Sequence, residues 1–114
     1  MTDTTWLLVD DDETFAATLA RSLGRRGIDC VQAHDPESAL LQLNASGARH
    51  CVLDLNLAGE SGLQLLPELL ARQPDLEVLI LTGYGSIATA VEAMRKGAVN
   101  YLCKPVTADQ IIDG

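Results

Sequence analysis

The sequence predicts an α/β domain built on one open, doubly wound, five-stranded parallel sheet with helices on both faces. Short apolar runs alternate five times with amphipathic helical stretches, and repeated strand–helix units close through right-handed crossovers into a parallel sheet. Three of the runs are almost unbroken in apolar residues, as strands covered on both faces must be. The 114 residues leave room for one compact domain and too little for two.

The elements follow in order. Trp6–Val9 is the expected first strand. Phe15, Leu19 and Leu23 recur at four-residue spacing as the buried stripe of a first helix, which Gly24 and Gly27 end. Ile28–Ala33 is the second strand, and its mixed polarity suits an edge. Asp35-Pro36-Glu37 opens the second helix, with Asp35 as N-cap, Pro36 at the first helical position, and Ala39, Leu40 and Leu43 facing inward. Cys51–Leu53 is the third strand. Ser61 begins a third helix carrying Leu63, Leu66 and Leu70, with a kink expected at Pro67. Val78–Leu81 is the fourth strand. Ile87, Val91 and Met94 mark a fourth helix that ends near Gly97, and Val99–Cys103 is the fifth strand. Thr107 and Gln110 form a capping box for a fifth helix. That helix reaches about two turns by Gly114, so residues 1–114 are expected to be one domain whose last helix is truncated, with more protein downstream.

Two doubly wound strand orders are common. The first strand is not followed by a Gly-rich turn, which disfavours the dinucleotide-binding order and leaves the flavodoxin-like order 2-1-3-4-5.

Composition narrows the function classes. Sixteen acidic residues against eight basic ones leave a net charge of −8, and such a surface repels a phosphate backbone. Direct nucleic-acid binding by this segment is therefore not expected. The longest apolar runs are roughly five residues, against roughly 20 for a membrane span. Met1–Thr5 lacks the basic start of a secretion signal, so a cytoplasmic location is expected. Cys30, Cys51 and Cys103 are an odd set within apolar runs and read as reduced, buried small hydrophobes.

Ligands of open α/β sheets bind at the carboxyl ends of the strands. The first strand ends in Asp10-Asp11-Asp12, the third in Asp54, the fourth in Thr82 and the fifth in Lys104. Carboxylates a few ångströms apart repel by about a few kcal/mol at intermediate dielectric, so they must protonate or hold a cation. An all-oxygen set without His or Cys suits Mg2+. Lys104 adds a fixed positive charge and Thr82 a hydroxyl. A metal, an ammonium and a hydroxyl around one carboxylate make a site for a tetrahedral oxyanion, above all a phosphoryl group. Asp12 reads instead as a cap of the first helix, and His34 and His50 as surface or strand-start residues.

The runs Leu7-Leu8-Val9-Asp10-Asp11-Asp12, Val52-Leu53-Asp54, Leu81-Thr82-Gly83 and Tyr101-Leu102-Cys103-Lys104-Pro105 resemble the motifs of two-component response-regulator receiver domains, the CheY-like superfamily. The resemblance covers essentially the whole chain. The stretch from Asp54 to Gly62, with Thr-Gly-Tyr-Gly-Ser at the end of the fourth strand, is most similar to the RegA/PrrA/ActR redox-regulator class. It implies that Asp54 is the phosphoacceptor and that Mg2+ is held by Asp10, Asp11, Asp54 and the main-chain carbonyl of Asn56, with Asp11 direct and Asp10 acting through water. Thr82 and Lys104 would contact the phosphoryl oxygens, and Thr82 and Tyr101 would form the conformational switch. A cis bond before Pro105 would aim Lys104 inward. Ala58 departs from the proline common in receivers. The implied protein is a signalling switch that catalyses only its own phosphoryl transfer and dephosphorylation. Its partners would be a sensor histidine kinase and a C-terminal effector domain controlling transcription, with a phosphorylation-dependent dimer compatible with this reading.

The same residues admit two rival readings. Asp10-x-Asp12-x-Thr14 also resembles the nucleophile motif of haloacid-dehalogenase-type phosphatases, with Asp10 attacking phosphorus and Asp12 as acid/base. That reading lacks a second acidic motif after Lys104 and a cap insertion, and it assigns no role to Asp54. A non-phosphorylated, receiver-like interaction module is the other rival; the complete set of acids, Thr82 and Lys104 counts against it.

Overall fold

The computed structural model describes residues 5–57, 60–83, 87–104 and 106–113. In chain order the elements are β1 (Thr5–Val9), α1 (Glu13–Gly24), β2 (Asp29–Ala33), α2 (Pro36–Ser46), β3 (His50–Asp54), β4 (Asn56–Leu57), β5 (Glu60–Ser61), α3 (Gly62–Arg72), β6 (Glu77–Thr82), α4 (Ile87–Arg95), β7 (Asn100–Cys103) and α5 (Ala108–Asp113). The main sheet has the order β2-β1-β3-β6-β7, with every neighbouring pair parallel. The two-residue strands β4 and β5 form a separate antiparallel pair. With that pair set aside, the order is the predicted 2-1-3-4-5.

Period-two alternation along the buried strands supplies two cores. Leu7, Val9, Leu53, Val78 and Ile80 face one side of the sheet, where they pack with Ala39 and Leu43 of α2, Leu65, Leu66 and Leu69 of α3, and Ala93 of α4. Leu8, Val52, Leu79 and Leu81 face the other side and meet Leu19 and Leu23 of α1 and Ile111 of α5. Each fully buried Leu or Ile contributes about 1.5–3 kcal/mol of hydrophobic stabilisation. The double winding is thus written into the strands: neighbouring residues serve opposite helical layers.

The helix ends follow their sequence signals. Asp12 caps α1 by accepting the Phe15 N–H at 3.0 Å, and Asp35 caps α2 by accepting the Ser38 N–H at 2.8 Å. The capping box of α5 is reciprocal: the Thr107 N–H donates to Gln110 Oε1 at 2.8 Å, and the Gln110 N–H to Thr107 Oγ1 at 3.2 Å. The turn that leaves α1 takes Gly27 to φ 84°, a conformation in which glycine has no Cβ penalty.

Four expectations need correction. Helix α3 begins at Gly62, after Ser61 has paired in β5. It buries Leu65, Leu66 and Leu69, while Leu63 and Leu70 lie half-buried on the flanks; the inward face is centred one step away from the Leu63–Leu66–Leu70 stripe. Helix α4 buries Ala90 and Ala93 and leaves Val91 42% exposed. Small residues let a helix approach its neighbours closely, and this placement overrides the greater hydrophobicity of valine. Strand β7 starts at Asn100, and Val99 is exposed. Of the cysteines, only Cys51 is buried; Cys30 is half-buried and Cys103, ending the edge strand β7, is exposed. All three are free thiols, as expected. Burial, followed by the charge of Asp29, pushes the Cys30 thiol up to about 11, and burial pushes Cys51 far above the ordinary thiol range, so neither is an activated thiolate at neutral pH.

Candidate functional site

Parallel strands bring their carboxyl ends to one edge of the sheet. The Asp10 N–H donates to the Ala33 carbonyl at 3.0 Å, one step beyond the last β1–β2 pair, Val9 with Ala33. Asp54 closes β3 opposite Leu81, so Thr82 stands one residue further along the neighbouring strand. The Lys104 N–H donates to the Thr82 carbonyl at 2.8 Å, which ties the residue after β7 to the same edge. Below Asp54, Gly62 donates its N–H to the Leu55 carbonyl at 3.0 Å. A Cβ on Gly62 would lie 2.9 Å from the Leu55 Cα, closer than van der Waals contact allows, so this crossing requires glycine.

The side chains converge as follows. Asp10, Asp11 and Asp54 each offer a carboxylate oxygen within 4.8 Å of the others. Asp10 and Asp54 are buried, at 3% and 6% exposure, whereas Asp11 is exposed. Lys104 Nζ donates to Asp10 Oδ2 at 2.8 Å and to Asp54 Oδ2 at 3.2 Å. It also lies 4.4 Å from the centre of the Phe15 ring, within cation–π range. Burial pulls the lysine pKa down, but the hydrogen bond it donates to Asp10 and the charges of Asp54 and Asp10 more than offset it, and the ammonium is held above its ordinary range.

With all groups ionised, three carboxylates face one ammonium. The donor set is all oxygen, two of its members are fixed by burial and the third opens to solvent. This fits a hard divalent cation that keeps several waters. Among the described residues, it is the one cluster of three such ligands.

The remaining predicted residues are placed as follows. Thr82 is 1% exposed, and its hydroxyl donates to the Gly83 carbonyl at 3.2 Å. Asn56 lies in β4, two residues beyond Asp54, paired with Ser61. Tyr101 is half-buried in β7 and packs against the α2–α3–α4 core. Asp12 is the cap of α1 and stands outside the carboxylate cluster, as expected. Ala58, Tyr84 and Pro105, with the expected cis bond, lie outside the described residues.

Sequence reasoning missed three contributors. Phe15 packs against the core as its place in the stripe predicts, and its ring also supports Lys104. Gly62 was not recognised as a packing requirement. His34, expected as a surface or strand-start residue, is half-buried and places Nδ1 2.9 Å from the Asp10 carbonyl. The predicted strand order contained a signal for His34, because the residue just after β2 must stand beside the residue just after β1.

The family model of the response regulator receiver domain matches residues 6–114. The chain belongs to this receiver family. The receiver is 39% identical over 110 residues to the acid tolerance regulatory protein ActR of Rhizobium meliloti, covering 96% of this chain and 57% of ActR. It is 38% identical over 109 residues to the photosynthetic apparatus regulatory protein RegA of Rhodobacter capsulatus, covering 96% of this chain and 59% of RegA. The chain therefore spans somewhat more than half the length of these relatives. Among solved structures, a Burkholderia pseudomallei response regulator with a phosphorylated aspartic acid, calcium ion and citrate superimposes with a TM-score of 0.91 at 47% identity, covering 96% of this receiver and 65% of that chain. The likeness to ActR and RegA agrees with the class read from the motifs after Asp54 and Thr82.

Proposed function

We propose that this receiver takes a phosphoryl group onto Asp54, with Mg2+ held by Asp10, Asp11, Asp54 and the Asn56 main-chain carbonyl. The observation that carries the reading is the Asp54 carboxylate: nearly buried, within 4.8 Å of two other carboxylates and 3.2 Å from an ammonium. A bound divalent cation supplies positive charge for the phosphoryl oxygens. An Asp54 oxygen forms a bond to phosphorus as the P–N bond of a kinase phosphohistidine breaks, and the imidazole nitrogen keeps the electron pair. Lys104, already on Asp54, follows the transferred oxygens. The Thr82 hydroxyl turns from the Gly83 carbonyl to the new acceptor, and Tyr101 responds by changing rotamer. The acyl phosphate then hydrolyses at the same site. The Burkholderia pseudomallei relative, with its phosphorylated aspartic acid and calcium ion, supports both the acceptor chemistry and a divalent cation.

In the cell the donor would be a sensor histidine kinase, and the reader a C-terminal effector domain that controls transcription in the cytoplasm. ActR and RegA, longer than this chain and named as regulatory proteins, support that output. No helix among the described residues is long and apolar enough to cross a membrane.

The test uses acetyl phosphate and Mg2+ with intact-mass detection. The native chain should gain one phosphoryl group that maps to Asp54, and Asp54→Ala should gain none in comparable yield. A phosphopeptide containing Asp10 in place of Asp54 would favour the dehalogenase-type chemistry.

A further inference from the structure

We infer that His34 is a positioning residue for the acidic site: it holds the Asp10 main-chain carbonyl and so aims the Asp11 carboxylate. The inference rests on the proposal that this cluster binds Mg2+. The β1–β2 ladder ends at Val9 and Ala33, and the Asp10 N–H to the Ala33 carbonyl is its last rung. Past that rung the backbone leaves the sheet, and the Asp10 carbonyl meets His34 Nδ1 at 2.9 Å. A carbonyl only accepts, so Nδ1 carries the hydrogen. The imidazole thereby extends the sheet pairing by one side-chain bond.

The consequence falls on Asp11. The peptide group joining Asp10 to Asp11 is planar, so fixing the Asp10 carbonyl fixes the plane from which Asp11 departs. Asp10 and Asp54 are held by burial. The Asp10 carboxylate is held further by the Asp12 N–H at 2.9 Å and by Lys104 at 2.8 Å. Asp11 is exposed, so packing constrains it less than the other two, and the direction of its backbone bears on where its carboxylate points. The bond of His34 runs to the Asp10 main-chain carbonyl. Its contribution passes through the main chain.

Three variants of the 114-residue chain test this against Mg2+ by calorimetric titration, with urea unfolding in EDTA as the control for stability. His34→Ala should bind Mg2+ about three- to tenfold more weakly, the worth of one neutral hydrogen bond. His34→Asn, whose amide nitrogen can take the place of Nδ1, should recover affinity to within about twofold of native on the same basis. His34→Gln, with its amide one carbon further out, should not. Native affinity in His34→Ala would overturn the inference, as would equal weakness of the Asn and Ala variants at native stability. Long-range 1H–15N spectra of the native imidazole need no variant: a hydrogen on Nδ1 is expected, and a bare Nδ1 would refute the bond. If the native chain itself takes up no Mg2+ at millimolar concentration, the metal proposal fails; if native binds and His34→Ala binds equally, only the role of His34 fails.

Discussion

Replacing Lys104 by methionine, close in length but uncharged, should make the domain less stable and its cation binding tighter. Lys104 Nζ lies 2.8 Å from Asp10 Oδ2 and 3.2 Å from Asp54 Oδ2. At an effective dielectric near 20 these attractions are about 6 and about 5 kcal/mol gross. Most of that is offset by stripping water from the ammonium. Removing one partner of a buried ion pair costs about 3–5 kcal/mol net. The lysine side chain is 26% exposed, so solvent screens part of the effect, and about 2–3 kcal/mol is expected. In urea with EDTA this is a fall in midpoint of about 1–2 M. The carboxylates left behind face one another without an ammonium, so Mg2+ should bind the variant roughly tenfold more tightly. Linkage then requires the stability penalty to shrink by about 1.4 kcal/mol once both proteins are saturated. Unchanged stability in EDTA, or an affinity that falls, would show that Lys104 does not compensate this cluster.

Further outcomes follow from the same geometry. Gly62→Ala should cost about 2–3 kcal/mol in urea unfolding, because the new Cβ must displace the backbone around Leu55; a loss within about 0.5 kcal/mol would mean that α3 shifts freely. Asp12→Ala should lose about 1 kcal/mol of stability as a missing N-cap, with Mg2+ affinity nearly native. Asp11→Ala should do the reverse, weakening Mg2+ about tenfold or more with little loss of stability; equal affinity losses in both would place the ligand elsewhere in the acidic run. The pH dependence has a definite sign. Lys104 is held above 10.5 in the folded chain, so its contribution is complete below pH 10.5 and fades as pH rises through the folded value; the alkaline loss should be smaller in Lys104→Met. Asp35 is held below 3.8, first by the Ser38 N–H, so its contribution is present above pH 3.8 and is lost as pH falls through the folded value. An acid titration of stability in Asp35→Ala should lack that component.

Much of this protein is legible one element at a time. Unbroken apolar runs at Trp6–Val9 and Val78–Leu81 identify strands covered on both faces, and Asp12, Asp35 and Thr107 announce the helices they cap. A parallel sheet must then collect Asp10, Asp54, Thr82 and Lys104 at its carboxyl edge, since each stands at or just after the end of a strand. The sequence by itself therefore determines the architecture and the membership of the acidic site. Tertiary structure decided what depends on distance between elements. Hydrophobicity favours Val91, yet α4 turns Ala90 and Ala93 inward, because close packing of the helix selects small residues. Gly62 needs its missing Cβ only because α3 starts against Leu55, and Phe15 supports Lys104 only because the first turn of α1 comes to lie beside the residue that follows β7. His34 reaches the Asp10 carbonyl through the register of β1 on β2. Patterns along a chain report which face of its own element a residue occupies; which atom it meets is set by how elements lie against one another.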